Sequence, residues 1–106
     1  MGTTVDEVEL RNALSNRLRD WTLKDNIIER QFEFASFKLA MDFVSKVARI
    51  AEEKNHHPDM TISYNKVTMA LTSHDSGGIT RRDLDMAGRI DEIAPELMNP
   101  SKLKTA

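Results

Sequence analysis

Residues 60–71 read Met60-Thr61-Ile62-Ser63-Tyr64-Asn65-Lys66-Val67-Thr68-Met69-Ala70-Leu71. Met60, Ile62 and Tyr64 alternate with Thr61 and Ser63; beyond Asn65-Lys66, Val67, Met69 and Leu71 alternate with Thr68, Ala70 and Thr72. A period of two is that of strands with one face in the core and one in water. The break at Asn65-Lys66, a weaker turn signal than Asn-Gly, predicts a hairpin.

The stretch before the hairpin has a different period. Phe37, Ala40, Met41, Val44, Val47, Ala48 and Ala51 recur at helical spacing, and Glu52, Glu53 and Lys54 close the helix. Asn55 suits the left-handed residue after a helix, and Pro58 stands where a helix cannot continue. Further upstream, Ile28, Arg30, Phe32 and Phe34 share one side of a strand, with Glu29, Gln31 and Glu33 on the other. Trp21 and Leu23 mark a short strand before the polar turn Lys24-Asp25-Asn26. Thr4-x-x-Glu7 is a capping-box pattern, and Leu10, Leu14 and Leu18 extend it into a first helix from Val5 to Arg19. Downstream, Ser76-Gly77-Gly78 ends the hairpin and Thr80-x-x-Asp83 opens a last helix. Leu84, Ala87, Ile90, Ala94 and Leu97 form its apolar stripe, and Pro95 is expected to kink or end it.

The order α-β-β-α-β-β-α lacks the strand–helix rhythm of a doubly wound sheet. It predicts an α+β fold: a four-stranded antiparallel sheet with about three helices packed on one face. The 106 residues fit a single domain over 1–106, with 1–4 and 99–106 expected to fray. Hydrophobic residues make up 40% and charged residues 30%, as in an ordinary globular protein. No cysteine is present, which removes disulfides and thiolate zinc sites and suits a reducing compartment. Charges scattered over Met1 to Asp20 do not read as a signal peptide, and no apolar run is long enough for a membrane span. A net charge of -2 gives no general attraction to phosphate backbones, so neither direct nucleic-acid binding nor a membrane is expected. The expected location is cytoplasmic.

Chemistry centres on three histidines. His56 and His57 fall in the helix-to-strand loop, and His74 lies just past the second hairpin strand. Imidazole exchanges protons near neutral pH, and loops held by rigid elements are where such groups collect. Pro58 biases His57 towards an extended backbone, so the adjacent rings diverge and suit two separate roles. A His-His-Pro loop is equally compatible with a plain surface loop. A three-histidine metal site stays open, although neighbours in sequence converge poorly on one ion and no carboxylate ligand is evident. Asp83 reads as the third residue of a capping box, and Glu52 as a solvated helix residue. Gly77-Gly78 with Arg81 and Arg82 is either an anion site at a helix N-terminus or a glycine turn beside a basic pair. Trp21 and Phe32 read as core.

Taken in order, these blocks resemble the pterin-4a-carbinolamine dehydratase family. The resemblance rests on Glu52-x-x-x-His56-His57-Pro58, Tyr64-Asn65-Lys66-Val67, Ser73-His74-Asp75, Gly78-Ile79-Thr80 and Asp83. Phe32-x-Phe34-x-x-Phe37-x-x-Ala40-x-x-Phe43 and Trp21 extend it, so that it spans Leu10 to Ala94. Ser76-Gly77 is a loop variation, and the tail after Ala94 departs from the pattern without touching a catalytic position. The resemblance implies dehydration of 4a-hydroxytetrahydropterin to quinonoid dihydropterin, in tetrahydrobiopterin recycling, with no metal and no cofactor. It implies His56 and His74 as the acid/base pair and His57 as a further catalytic residue that mainly holds the substrate. Asn55, Thr72, Ser73 and Asp75 are implied to bind the pterin with these histidines, and Glu52 and Asp83 to support them. It also implies a homodimer or homotetramer and, in animals, a second role as dimerisation cofactor of a transcription factor. A protein-binding module, with a nuclear location, is thus the alternative function. A relative adapted to another substrate or to assembly is a third.

Overall fold

The alternation in residues 60–71 becomes a hairpin of β3 (Asp59–Ser63) and β4 (Lys66–Leu71) in the computed structural model, which describes residues 3–98. Ser63 pairs with Lys66, so the two-residue loop is Tyr64-Asn65, one residue earlier than the sequence break suggested. Tyr64 takes the left-handed conformation there, at φ 53°. Asn65 explains the shift. Its carbonyl accepts from Phe34 N–H at 2.9 Å and its Nδ2 donates to Phe34 O at 2.8 Å, which clamps the hairpin tip to the preceding strand.

Strands β1 (Thr22–Lys24) and β2 (Ile27–Glu33) complete an antiparallel sheet in the order β1-β2-β4-β3. Ile28 pairs with Leu71, Arg30 with Met69 and Phe32 with Val67, so these side chains share the inner face. Glu29, Gln31 and Glu33 pair with Ala70, Thr68 and Lys66 on the outer, polar face. Helices α1 (Glu7–Ser15), α2 (Phe37–Lys54) and α3 (Arg81–Met98) cover the inner face, as the element order predicted. A short 3₁₀ turn, His74–Ser76, lies between β4 and α3.

Helix α2 has the predicted bounds, capped by Ser36 Oγ and closed by Asn55 at φ 50°. Its buried line, however, is Ala40, Phe43, Val47, Ile50 and Ala51. Phe37 and Ala48 of the sequence stripe stay exposed, and Met41 and Val44 are half-buried. The helix is rotated so that Phe43 enters the aromatic core, 4.9 Å from both Phe32 and Phe34. Trp21 meets Phe32 edge-on at 6.2 Å. Phe37 instead stacks on Tyr64 at the surface.

Helix α1 is shorter than the expected Val5–Arg19 because Thr4 does not cap it. Asp6 does, accepting from Glu9 N–H at 2.8 Å. Thr4 forms a β-bridge with Thr80, and Val5 N–H donates to Ile79 O at 2.9 Å. The chain is therefore tied down from Thr4, and the rest of the expected frayed ends, residues 1–2 and 99–106, lies outside the described residues. After Ser15 the backbone turns, and Leu18 N–H reaches Ala13 O at 2.9 Å, which buries Leu18 without further helix. Helix α3 runs through Pro95 to Met98 instead of ending there. Proline has no N–H to donate to the carbonyl four residues back, so the helix continues past Pro95 without that one bond.

Asp91 of α3 accepts from Trp21 Nε1 at 3.0 Å and from Arg30 Nη1 at 2.8 Å, and Arg30 also lies over the Phe32 ring. Burial pushes the Asp91 carboxyl above the usual range; the hydrogen bond from Trp21 and the charge and hydrogen bond of Arg30 oppose this without cancelling it, and Asp20 adds to the rise. A raised carboxyl stabilises the fold below the ordinary carboxylate range and loses that contribution as pH rises through its own value.

Phe43→Ala is expected to cost about 3–5 kcal/mol of unfolding free energy. Phe37→Ala, at an exposed ring, is expected to cost less than about 1 kcal/mol. Urea titrations of both check this, and equal losses would return α2 to the rotation its sequence stripe suggests. Asp91→Asn should gain stability relative to the parent as pH is raised from below the carboxylate range to neutrality. A difference that stays flat or reverses over that window contradicts the raised carboxyl.

Candidate active site

The end of α2 sets the position of the first two histidines. Asn55 N–H bonds Ala51 O and Glu52 O, and His56 N–H reaches back to Ala51 O at 3.1 Å. Such a left-handed close fixes the exit direction of the chain. It turns the His56 side chain inward, where it is 10% exposed. His57, next to buried Pro58, faces outward. The pair diverges as expected from adjacent residues before a proline.

His56 Nε2 lies 2.6 Å from Asp83 Oδ1, and Asp83 is fully buried. The other oxygen, Oδ2, accepts from Ser73 Oγ at 2.8 Å and from Thr80 N–H at 2.9 Å. The Thr80 bond is the reciprocal half of a capping box, and the carboxylate sits in the first turn of α3, where the helix dipole favours it. Asp83 thus serves both as the capping residue read from sequence and as the partner of His56. A carboxylate offers no donor, so the hydrogen of the Asp83–His56 bond belongs to Nε2, which leaves Nδ1 as the nitrogen able to exchange a proton. Among the described residues no buried side-chain nitrogen or oxygen lacks a partner. Nδ1 of His56 makes no hydrogen bond with the described residues.

His57 Nε2 lies 2.5 Å from Glu52 Oε2, with both side chains more than half exposed. His74 opens the 3₁₀ turn, and its exposed side chain makes no hydrogen bond or ion pair with the described residues. Its loop is nonetheless anchored to the His56 partner, since Ser73 precedes it. Asp75 pairs with Arg82 of α3 at 2.9 Å. Desolvation would raise the Asp75 carboxyl, but the hydrogen bond and charge of Arg82 outweigh it and hold the group below its ordinary value. Thr72 Oγ1 donates to Asn26 O at 2.6 Å, which commits its hydroxyl to the β1–β2 turn.

The structure therefore brings His56, Asp83, Ser73 and the His74 loop together at the start of α3. His57 and Glu52 form a second pair on the surface beside them. Arg81 and Arg82, considered as an anion site, are each engaged by a carboxylate, Glu9 and Asp75 respectively. No three His, Asp or Glu side chains among the described residues converge as a metal-holding group. Two surface cavities, of about 570 and 610 Å³, lie along α1, and neither is lined by a histidine. Sequence reading missed the link from Ser73 to Asp83. The Thr80-x-x-Asp83 cap was visible; that the same carboxylate turns to His56 depends on how α2 and α3 meet.

Known proteins resemble this chain in sequence and in fold. The family model for pterin 4 alpha carbinolamine dehydratase matches residues 3–93. A relative from Koribacter versatilis named "Putative pterin-4-alpha-carbinolamine dehydratase" is 52% identical over 95 residues, covering 90% of this chain and 100% of that protein. One of the same name from Sulfurisphaera tokodaii is 51% identical over 87 residues, 82% of this chain and 92% of that protein. A crystal structure from Brucella melitensis, described as a transcriptional coactivator/pterin dehydratase, superposes with a TM-score of 0.82 at 34% identity, over 87% of this chain and 99% of that one. A pterin dehydratase-like protein described as a RuBisCO assembly factor of the alpha-carboxysome has the same fold, at 23% identity and a TM-score of 0.59 over 70% of this chain and 86% of that one. No helix among the described residues is long and apolar enough to cross a membrane. With the family model spanning nearly the whole described chain and its relatives matched along almost their full lengths, the chain belongs to the pterin-4a-carbinolamine dehydratase family.

Proposed function

We propose that this chain dehydrates 4a-hydroxytetrahydropterin to quinonoid dihydropterin, with His56 and His74 as the acid/base pair. The observation that carries this reading is the His56–Asp83 pair. One ring nitrogen is fixed by a buried carboxylate, the other makes no hydrogen bond with the described residues, and the His74 loop is tied to the same carboxylate. In the reaction the C4a–O bond breaks as the hydroxyl takes a proton and leaves as water. The N5 lone pair forms the C4a–N5 double bond, and N5 gives up its proton. One group donates and one accepts, so the reaction needs no net proton and a pair of histidines suffices. His57, oriented by Glu52, holds the substrate. Asn55, Asp75 and the main chain around Thr72 bind its pyrimidine end, while the hydroxyls of Thr72 and Ser73 are occupied within the chain.

The same reading puts the chain in tetrahydrobiopterin recycling, as a homodimer or homotetramer in the cytoplasm. A protein-binding role beside catalysis is supported by the coactivator description of the Brucella structure, and extends the proposed location to the nucleus.

Chemically prepared carbinolamine provides the assay. His56→Ala and His74→Ala are each expected to lower kcat by about 10²–10⁴-fold, whereas His57→Ala should act mainly through KM. Failure of the parent chain to accelerate dehydration over buffer would sink the enzyme reading, and unchanged kcat in both the His56 and His74 variants would reject the assigned pair.

A further inference from the structure

Ser73 holds a position that its expected role as a pterin ligand does not explain. It is 2% exposed, and both of its donors are committed inside the chain. Its N–H donates to Gly78 O at 3.1 Å. Its carbonyl accepts from Ser76, Gly77 and Gly78, at 3.0, 3.0 and 3.3 Å, which closes the loop that carries His74. Gly77, at φ 79°, supplies the left-handed turn that closure needs. The hydroxyl leaves this loop entirely. It donates to Asp83 Oδ2 at 2.8 Å, and Thr80 Oγ1 lies 2.8 Å away as the donor that satisfies the Ser73 oxygen.

We propose that Ser73 is a positioning residue that locks the His74 loop onto the buried Asp83–His56 pair. The inference deepens the catalytic reading above and rests on it, since two histidines working on one ring must keep a fixed separation. A second tether, Asp75–Arg82, joins the same loop to α3, but it is solvent-exposed. Exposed pairs contribute little to rigidity. The buried bond from Ser73 is therefore the one that sets the spacing, and Asp83 transmits it: one oxygen to the loop, the other to the imidazole. Direct contact between Ser73 and the substrate has no part in this.

The test compares Ser73→Ala, Ser73→Thr and Arg82→Gln with the parent chain, each first checked for folding by urea titration. Ser73→Ala is expected to lower kcat by about 100-fold, the scale set by misplacing a reacting group by an ångström, with KM changed less than about threefold. Ser73→Thr keeps the hydroxyl on an extended residue that accepts β-branching, and should restore kcat to within about threefold of the parent. Should the alanine variant fail to fold, Ser73→Cys, with its weak S–H donor, replaces it. Nitrogen-15 NMR supplies a second readout. Ser73→Ala should move both the His56 ring signals and the His74 amide, whereas Arg82→Gln should move only the latter. Unchanged His56 signals in Ser73→Ala, or a kcat equal to the parent, overturns the proposal. If the parent chain does not dehydrate the carbinolamine, the catalytic reading fails, and the ring signals still decide whether Ser73 couples the two loops.

Discussion

Asp83 is a carboxylate with no exposed surface, and a charge taken out of water must be matched at both oxygens. Here Oδ2 takes two short bonds, from Thr80 N–H and Ser73 Oγ, and Oδ1 faces His56 Nε2. The match draws on three parts of the chain: the close of α2, the end of β4 and the start of α3. No one of them can shift without exposing an unsatisfied group. The placement of His56, the closure of the His74 loop and the first turn of α3 are thus aspects of one local constraint.

That constraint depends in turn on the core. Phe43 seats α2 against Phe32 and Phe34, and this fixes where the helix ends and hence where His56 enters. The clamp between Asn65 and Phe34 fixes β2 against the hairpin tip, and the β2–β4 register sets where Ser73 emerges. Packing distant from the histidines decides their geometry, while the outer face of the sheet, polar and open, leaves it untouched.

Local patterns in the sequence were enough for the element order, the bounds of α2, the left-handed Asn55 and the two faces of β2, because each depends on neighbours in the chain. Rotation of α2 was not legible. Phe37, Met41, Val44 and Ala48 line up as well as Ala40, Phe43, Val47 and Ile50, and only the aromatic partners on β2 choose between them. The start of α1 was misread because Thr4 is taken up by a bridge to Thr80, 76 residues away in sequence. The hairpin loop was one residue out because Asn65 is engaged by Phe34. For the site, the histidines and Asp83 stood out in sequence by chemistry and family resemblance. The bond between His56 and Asp83 follows from how α2 meets α3, and the bond from Ser73 from how the end of β4 meets α3; no local pattern encodes either.

Under the proposed reaction a pterin ring is handled between His56 and His74, and the structure of the chain with an unreactive reduced-pterin analogue is the decisive measurement. The bicyclic ring is expected with its C4a edge towards Nδ1 of His56, His74 on the opposite side, and the His56–Asp83 bond intact. A ring seated away from both histidines, for example in the cavity lined by Leu10, Leu14 and Leu23, would contradict it.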